Sequence, residues 1–409
     1  MGNSEYCSQF LFFVVFLLVL TVTLVVSEEA QANDTFLLNL KRLRSKLGRI
    51  NKPSIKEIQS PDGDLIDCVP LYLQPAFDHP MLKGHKPLRA PKRPKGLNST
   101  GVIGETFQTW TISGESCSDG TIPIRRTKEE DLLRASSIKK YGRKPKGRIM
   151  SRDISGISNH EHAIGYITRK EVYGAKASIN VWAPKVAAPS EFSLSQIWIM
   201  SGLFSNDLNT IEAGWQVSPE LYGDHCPRFF IYWTSDAYRE TGCYNLLCSG
   251  FIQIDNRIAM GASISPLSTM NGGQFDINIM IWKDPKHGHW WLEFGKGLIV
   301  GYWPSFLFSH LTNHASMVQF GGEIVNTQAS DGHTSTQMGS GHFAGEGFRR
   351  AAYFRNLEAV DWDNNLFPAS KLQIFADRPQ CYDIRKGRNA VWGNYFYYGG
   401  SGSRNIKCT

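Results

Sequence analysis

The chain predicts an all-β protein, an antiparallel β-sandwich preceded by a small mixed N-terminal module. Three observations carry that expectation. From about Ile154 onward, apolar and polar residues alternate with the period of two that strands require. Ten of the eleven tryptophans lie beyond residue 154, in runs separated by Gly and Asn, which favours two aromatic-rich sheets around one core. The charge divides at the same place: 24 Lys and Arg against 16 acids up to residue 154, but 20 against 21 after it.

The elements follow in order. Phe10 to Val26 is uncharged and almost wholly apolar, then Ser27-Glu28-Glu29-Ala30 follows, as in a secretory signal peptide over residues 1–30. No second long apolar run occurs, so stable membrane insertion is not expected. Asn33-Asp34-Thr35 and Asn98-Ser99-Thr100 fit the N-glycosylation pattern, making Asn33 and Asn98 candidate acceptors in that lumen. Within residues 31–154, Leu37, Leu40, Leu43 and Leu47 share a stripe of a helix from Asp34 to Leu47. Trp110 and Gly120 to Ile124 read as extended, and Thr127-Lys128-Glu129-Glu130 reads as a helix start with Thr127 as cap and Glu130 closing it. Basic residues crowd into Lys83 to Lys95, Arg125-Arg126 and Ser137 to Arg152 beside Pro and Gly, the composition of exposed linkers and protease-accessible junctions. Cleavage is expected between the last of them and His160, with a product beginning between about Lys140 and His160.

The remaining residues, 155–409, form one domain. Phe192 to Met200 puts Leu194, Gln196, Trp198 and Met200 on one strand face, and Phe275 to Trp282 does the same for Phe275, Ile277, Ile279 and Ile281. Phe229 to Trp233, Phe251 to Ile254, His289 to Phe294 and Val391 to Tyr398 read as further strands. Seven cysteines lie beyond Cys7, an odd number. Cys243 with Cys248 closes a tight loop and Cys381 with Cys408 staples the C-terminal strands, while the partners of Cys68, Cys117 and Cys226 stay open.

Several chemistries lose their usual signs. The near-neutral larger domain argues against a nucleic-acid partner. There is no His-Glu-x-x-His, no strand-to-helix nucleophile elbow and no phosphate-cradling glycine loop after a strand, so no metal or cofactor is expected. Three polar residues remain conspicuous. Gln196 shares a strand face with Leu194 and Trp198; Glu212 and Glu323 are each the only acid in an apolar or Gly-containing stretch. Two carboxylates in one cleft divide a proton between them, the arrangement that hydrolyses an amide or a glycosidic bond.

Longer runs carry a resemblance. Gly63-Asp-Leu-Ile-Asp-Cys68, Gln74-Pro-Ala-Phe-Asp-His-Pro80 and Gly120-Thr-Ile-Pro-Ile-Arg-Arg-Thr127 resemble the activation peptide of the plant neprosin family of secreted glutamic endopeptidases. Ile211-Glu-Ala-Gly-Trp-Gln-Val-Ser-Pro219, Tyr232-Trp-Thr-Ser-Asp236, Thr241-Gly-Cys-Tyr-Asn-Leu-Leu-Cys248, Gly321-Gly-Glu323 and Gln337-Met-Gly-Ser-Gly-His342 are similar to its peptidase domain. The resemblance implies Glu212 and Glu323 as the catalytic glutamates, Gln196 as an assisting amide, and cleavage after proline in proline-containing peptides or proteins. It implies no metal or cofactor, and an activation peptide that inhibits its own enzyme. Trp215 and Phe320, beside the acids, are candidates for stacking on the proline ring. The family usually has tryptophan where this chain has Phe320, and Cys226 also departs from its pattern. A carbohydrate-active or carbohydrate-binding cell-wall protein is the alternative for the same acids and aromatics. The expected destination is extracellular, the cell wall or the vacuole.

Overall fold

A computed structural model describes residues 38–96, 108–144, 159–204, 206–328, 332–402 and 408. The leader, Asn33, Asn98 and the junction 145–158 lie outside the described residues. Among the described residues no helix is long and apolar enough to cross a membrane. Packing separates residues up to Arg49 from a second unit, Ile50–Thr409. Helix α1 covers 38–50, ending about a turn beyond Leu47.

The second unit begins with a three-stranded antiparallel sheet of β1 (Lys56–Gln59), β2 (Leu65–Pro70) and β3 (Thr121–Arg125), stapled by Cys68–Cys117. Trp110 is not extended; it sits in a single 3-10 turn, Thr109–Thr111, whose bend lets its indole N–H reach Gln108 Oε1 at 2.9 Å. Helix α2 (Glu129–Arg134) starts one residue later than expected. Lys128 is its cap, and Asp131 rather than Glu130 closes it, accepting the Lys128 N–H at 3.0 Å. Asp131 is buried against Arg125 and Arg134, whereas Glu130 is exposed.

Two antiparallel sheets make the sandwich. In spatial order the first is β16 (Gln373–Ala376), β4 (His160–Val172), β13 (Ala315–Val325), β6 (Ser193–Ser201), β7 (Asn209–Val217) and β8 (Arg228–Thr234). The second runs β17 (Asp383–Asn389), β18 (Gly393–Gly399), β14 (Ala352–Val360), β5 (Gly174–Asn180), β10 (Asp276–Lys283), β11 (Trp290–Phe294), β12 (Leu298–Trp303) and β9 (Ile252–Gln253), with β15 (Leu366–Pro368) paired to β14. Strand periodicity builds the core: Ile197, Ile199, Ile211, Ala213 and Ile231 project from the first sheet to meet Ile277, Ile279, Ile281 and Leu292 from the second. Phe229 and Phe294 touch across the gap with ring centroids 4.4 Å apart.

Lys83 to Lys95 is not a free linker. Residues 74–95 cross the outer face of the nine-stranded sheet as a strap, its lysines outward and Leu82 and Pro94 buried. Apolar residues between the lysines supply the adhesion that the basic composition obscured.

Cys243 is bonded to Cys248 and Cys381 to Cys408, and Cys226 is the unpaired cysteine among the described residues. Partial burial and then the Asp224 carboxylate push its thiol pKa upward, which slows reaction with electrophiles. Peptide mapping without reduction should recover three disulfides and alkylated Cys226, with slower labelling in the native protein than after unfolding. Recovery of Cys243 or Cys381 as free thiol from folded protein would contradict this pairing.

Candidate active site

Strand order brings the three conspicuous polar residues together. β6 lies between β13 and β7, so Gln196 on β6 faces Gly321 on one side and Gly214 on the other, while Glu323 stands opposite Leu194 and Glu212 opposite Trp198. Even spacing along each strand puts Gln196, Trp198, Glu212, Gly214, Gly321 and Glu323 on the sheet face away from the core. The two glycines are required by crowding. A Cβ on Gly214 would lie 2.0 Å from Ser195 O and 2.6 Å from Gln196 Cα; one on Gly321, where φ is +152°, would lie 2.3 Å from Ala163 O.

Glu212 is wholly buried and Glu323 is 3 % exposed. Glu212 Oε2 accepts from Gln196 Nε2 at 2.8 Å; Oε1 accepts from Thr210 Oγ1 at 2.9 Å and Tyr238 OH at 2.6 Å. Three donors hold one carboxylate in place. Glu323 Oε1 lies 2.5 Å from His160 Nδ1, while His162 bonds Asp377 at 2.9 Å and stacks obliquely near Trp198.

Lys144 enters this site from the N-terminal module. Its Nζ is 2.6 Å from Glu212 Oε2 and 3.5 Å from Glu323 Oε2, and lies 5.5 Å from the ring centres of both Tyr232 and Tyr238. Gly142 anchors the segment by accepting the Tyr244 backbone N–H at 2.8 Å. Burial alone would depress the Lys144 pKa, yet Glu212 and then Glu323 raise it well above the ordinary lysine value. Burial would likewise raise Glu323, but the Lys144 ammonium, then His160 and His162, hold it well below the carboxylate range. Burial also dominates at Tyr238, whose phenol is pushed far up and stays protonated as a donor to Glu212. The site is therefore closed by an internal cation whose charge both acids share.

Lys144 is an exception to the reading of Ser137 to Arg152 as an exposed junction: two buried carboxylates compensate the desolvation that an isolated lysine would not tolerate. Trp215 and Phe320 are corrected as well. Each is three residues from a glutamate, an odd step that turns it to the opposite face, and both are fully buried in the core, with Trp215 Nε1 donating to Asn180 O at 2.9 Å. The aromatic walls on the site's own face are Trp198, Tyr232, Tyr238 and Tyr244, of which only Trp198 was distinguishable by strand parity.

The neprosin family model matches residues 189–401, and the model of the neprosin activation peptide matches 57–166. The chain belongs to the neprosin family. It is a glutamic endopeptidase of the secretory pathway, made with an N-terminal activation peptide. Lys144 falls inside the activation-peptide match of this neprosin chain, and Gln196, Glu212 and Glu323 inside the peptidase match. Among solved structures, scytalido-glutamic peptidase with a peptide-based transition-state analogue is similar at 13 % identity and TM-score 0.32, covering 59 % of this chain and 98 % of that one. SCP-B, an eqolisin-family peptidase in complex with the tripeptide Ala-Ile-His, follows at 10 % and 0.30 over 59 % and 98 %. The β-porphyranase BpGH16B from the human gut bacterium Bacteroides plebeius reaches 5 % and 0.23 over 46 % and 74 %. Overlaps this loose carry no inference about chemistry.

Proposed function

We propose that Glu212 and Glu323 are the catalytic pair of a latent endopeptidase that cleaves after proline at acidic pH, and that Lys144 keeps it latent. One observation carries the reading: a single ammonium is bound by both carboxylates, so both acids reach one point in space. A water at that point would be bound by both. With Lys144 withdrawn, one carboxylate takes a proton from the water as its oxygen attacks the scissile carbonyl, and the protonated partner delivers a proton to the departing amine. Two acids this close titrate as a pair, and a single shared proton between them belongs to acidic solution. Gln196 keeps one amide N–H on Glu212 and offers the other to the developing oxyanion, while Tyr232, Tyr238 and Tyr244 supply rings for a proline.

Processing follows from the same geometry. A cut before Lys144 would leave the blocking lysine on the product, so cleavage is expected between Lys144 and His160, within the wider junction read from composition. The mature form is then an extracellular, cell-wall or vacuolar enzyme. The test combines N-terminal sequencing of the secreted product with a pH series on peptides that differ only at the residue before the scissile bond. The expected product starts beyond Lys144 and cleaves the proline peptide preferentially in acid. An active product retaining Cys68 through Lys144 in one continuous chain, or processed protein that releases sugars from cell-wall oligosaccharides and leaves peptides intact, would refute it.

A further inference from the structure

The strap over the nine-stranded sheet covers a second aromatic surface, on the far side of the core from Glu212. Met280, Trp282, Trp291 and Tyr302 project from β10, β11 and β12 to the outer face, where Ala76, Phe77, Leu82 and Leu88 of the strap pack on them. The strap is anchored along its whole course. Gln74 and Gln253 on the edge strand β9 exchange bonds, Gln74 Nε2 to Gln253 O at 3.0 Å and Gln253 N to Gln74 Oε1 at 2.8 Å. Tyr302 OH is 2.8 Å from His85 Nε2 and accepts the Leu88 N–H at 3.1 Å; Arg93 Nε donates to Glu293 Oε2 at 2.6 Å; Lys95 N donates to Asn364 O at 2.8 Å.

Two features describe what this surface accepts. The seated segment holds Pro75, Pro80, Pro87, Pro91 and Pro94 within residues 74–95. Gln74 (φ −59°, ψ 153°) and His79 (φ −72°, ψ 128°), each preceding a proline, lie in or near the polyproline II region. Meanwhile the indole N–H groups of Trp282 and Trp291 are fully buried with no acceptor among the described residues. The strap fills the surface by shape but leaves two donors unmatched. A polyproline II chain presents rings for aromatic packing and carbonyl oxygens with no competing N–H, which is the complement of such a face.

We propose that removal of the activation peptide uncovers this face as an exosite that holds proline-rich polypeptide remote from the cleavage site. The proposal rests on the processing argued above. Tethering a proline-rich substrate there raises its concentration at the cleft and leaves the chemistry on short peptides unchanged.

The test uses processed protein carrying Glu212→Gln, so that binding is read without hydrolysis, after sequencing and mass analysis have established that the activation peptide is gone. Titration by calorimetry and indole fluorescence compares a dodecamer of proline, a synthetic peptide of residues 74–95 and cellohexaose. Both peptides are expected to bind and cellohexaose not to. Trp291→Phe keeps an aromatic ring and removes the N–H, and is expected to weaken the proline dodecamer by about threefold to tenfold, the worth of one hydrogen bond. In the active background, Trp291→Phe should raise KM for a long proline-rich protein and leave a short proline peptide unaffected, with near-ultraviolet circular dichroism confirming the fold. Absence of proline-dodecamer binding, cellohexaose binding instead, or an unchanged affinity in folded Trp291→Phe would overturn the exosite. So would an activation peptide that stays bound after cleavage. None of these results touches hydrolysis of short peptides, so the peptidase reading stands or falls separately.

Discussion

Lys144→Met in the uncleaved precursor is expected to release latency by about two to three orders of magnitude in activity on a short proline peptide. The wild-type ammonium compensates two buried carboxylates, and removing one partner of such a group costs about 3–5 kcal/mol. The closed form avoids part of that cost by taking up a proton, and the open form avoids all of it. Acid should act on the wild type in the same direction. Held below its ordinary 4.5 by Lys144 and the histidines despite burial, Glu323 contributes stability to the closed form that is present above that value and lost as pH falls below it. Lys144, raised above its ordinary value, keeps its charge throughout that window, so the titration there belongs to Glu323. Precursor activity should therefore appear below about pH 4.5 in wild type and be nearly independent of acid opening in Lys144→Met. A folded Lys144→Met precursor as silent as wild type at every pH would remove Lys144 from the account of latency.

Glu212→Gln and Glu323→Gln in the processed enzyme are each expected to lower kcat by about 10²–10⁴-fold, the range for losing a proton-transferring group. The amide preserves size and removes the ability to accept or return a proton. The two variants should differ in their side effects. In Glu212→Gln the new amide would face donors from Gln196, Thr210 and Tyr238 while accepting through one oxygen only, so a modest loss of stability is expected there. If the acids act on one water, as proposed, the double variant should be little worse than either single one. Turnover within about twofold of wild type in either folded single variant would end the paired-glutamate mechanism.

Much of this was legible in residue order. Burial of Glu212 and Glu323 followed from their apolar neighbourhoods, and the sandwich from alternation in segments such as Phe275 to Trp282. Their convergence was not legible, because it depends on β6 lying between β13 and β7, a fact of strand order that no local pattern encodes. The core positions of Trp215 and Phe320 were legible too: a step of three residues along a strand from each glutamate already turns the side chain inward. Lys144 was hidden. A lysine among basic, Pro- and Gly-rich neighbours has every local sign of exposure, and only partners 68 and 179 positions away reverse it. The strap misled similarly, since spacing cannot show that Leu82 and Leu88 meet tryptophans about two hundred residues on.

If Lys144 holds the precursor latent, as proposed, its position on the same chain as its carboxylates makes latency a matter of effective concentration. While the junction is intact, the lysine competes with substrate at the high local concentration that a short tether imposes, millimolar or more, and substrate cannot outbid it by accumulating. Cutting one bond between Lys144 and His160 breaks none of the contacts at the site. It converts an intramolecular equilibrium into a bimolecular one, so what dismisses the inhibitor is volume. In a packed secretory vesicle a cut precursor would remain largely silent, and on discharge into a dilute exterior the same molecules would lose their blocking segments by mass action alone.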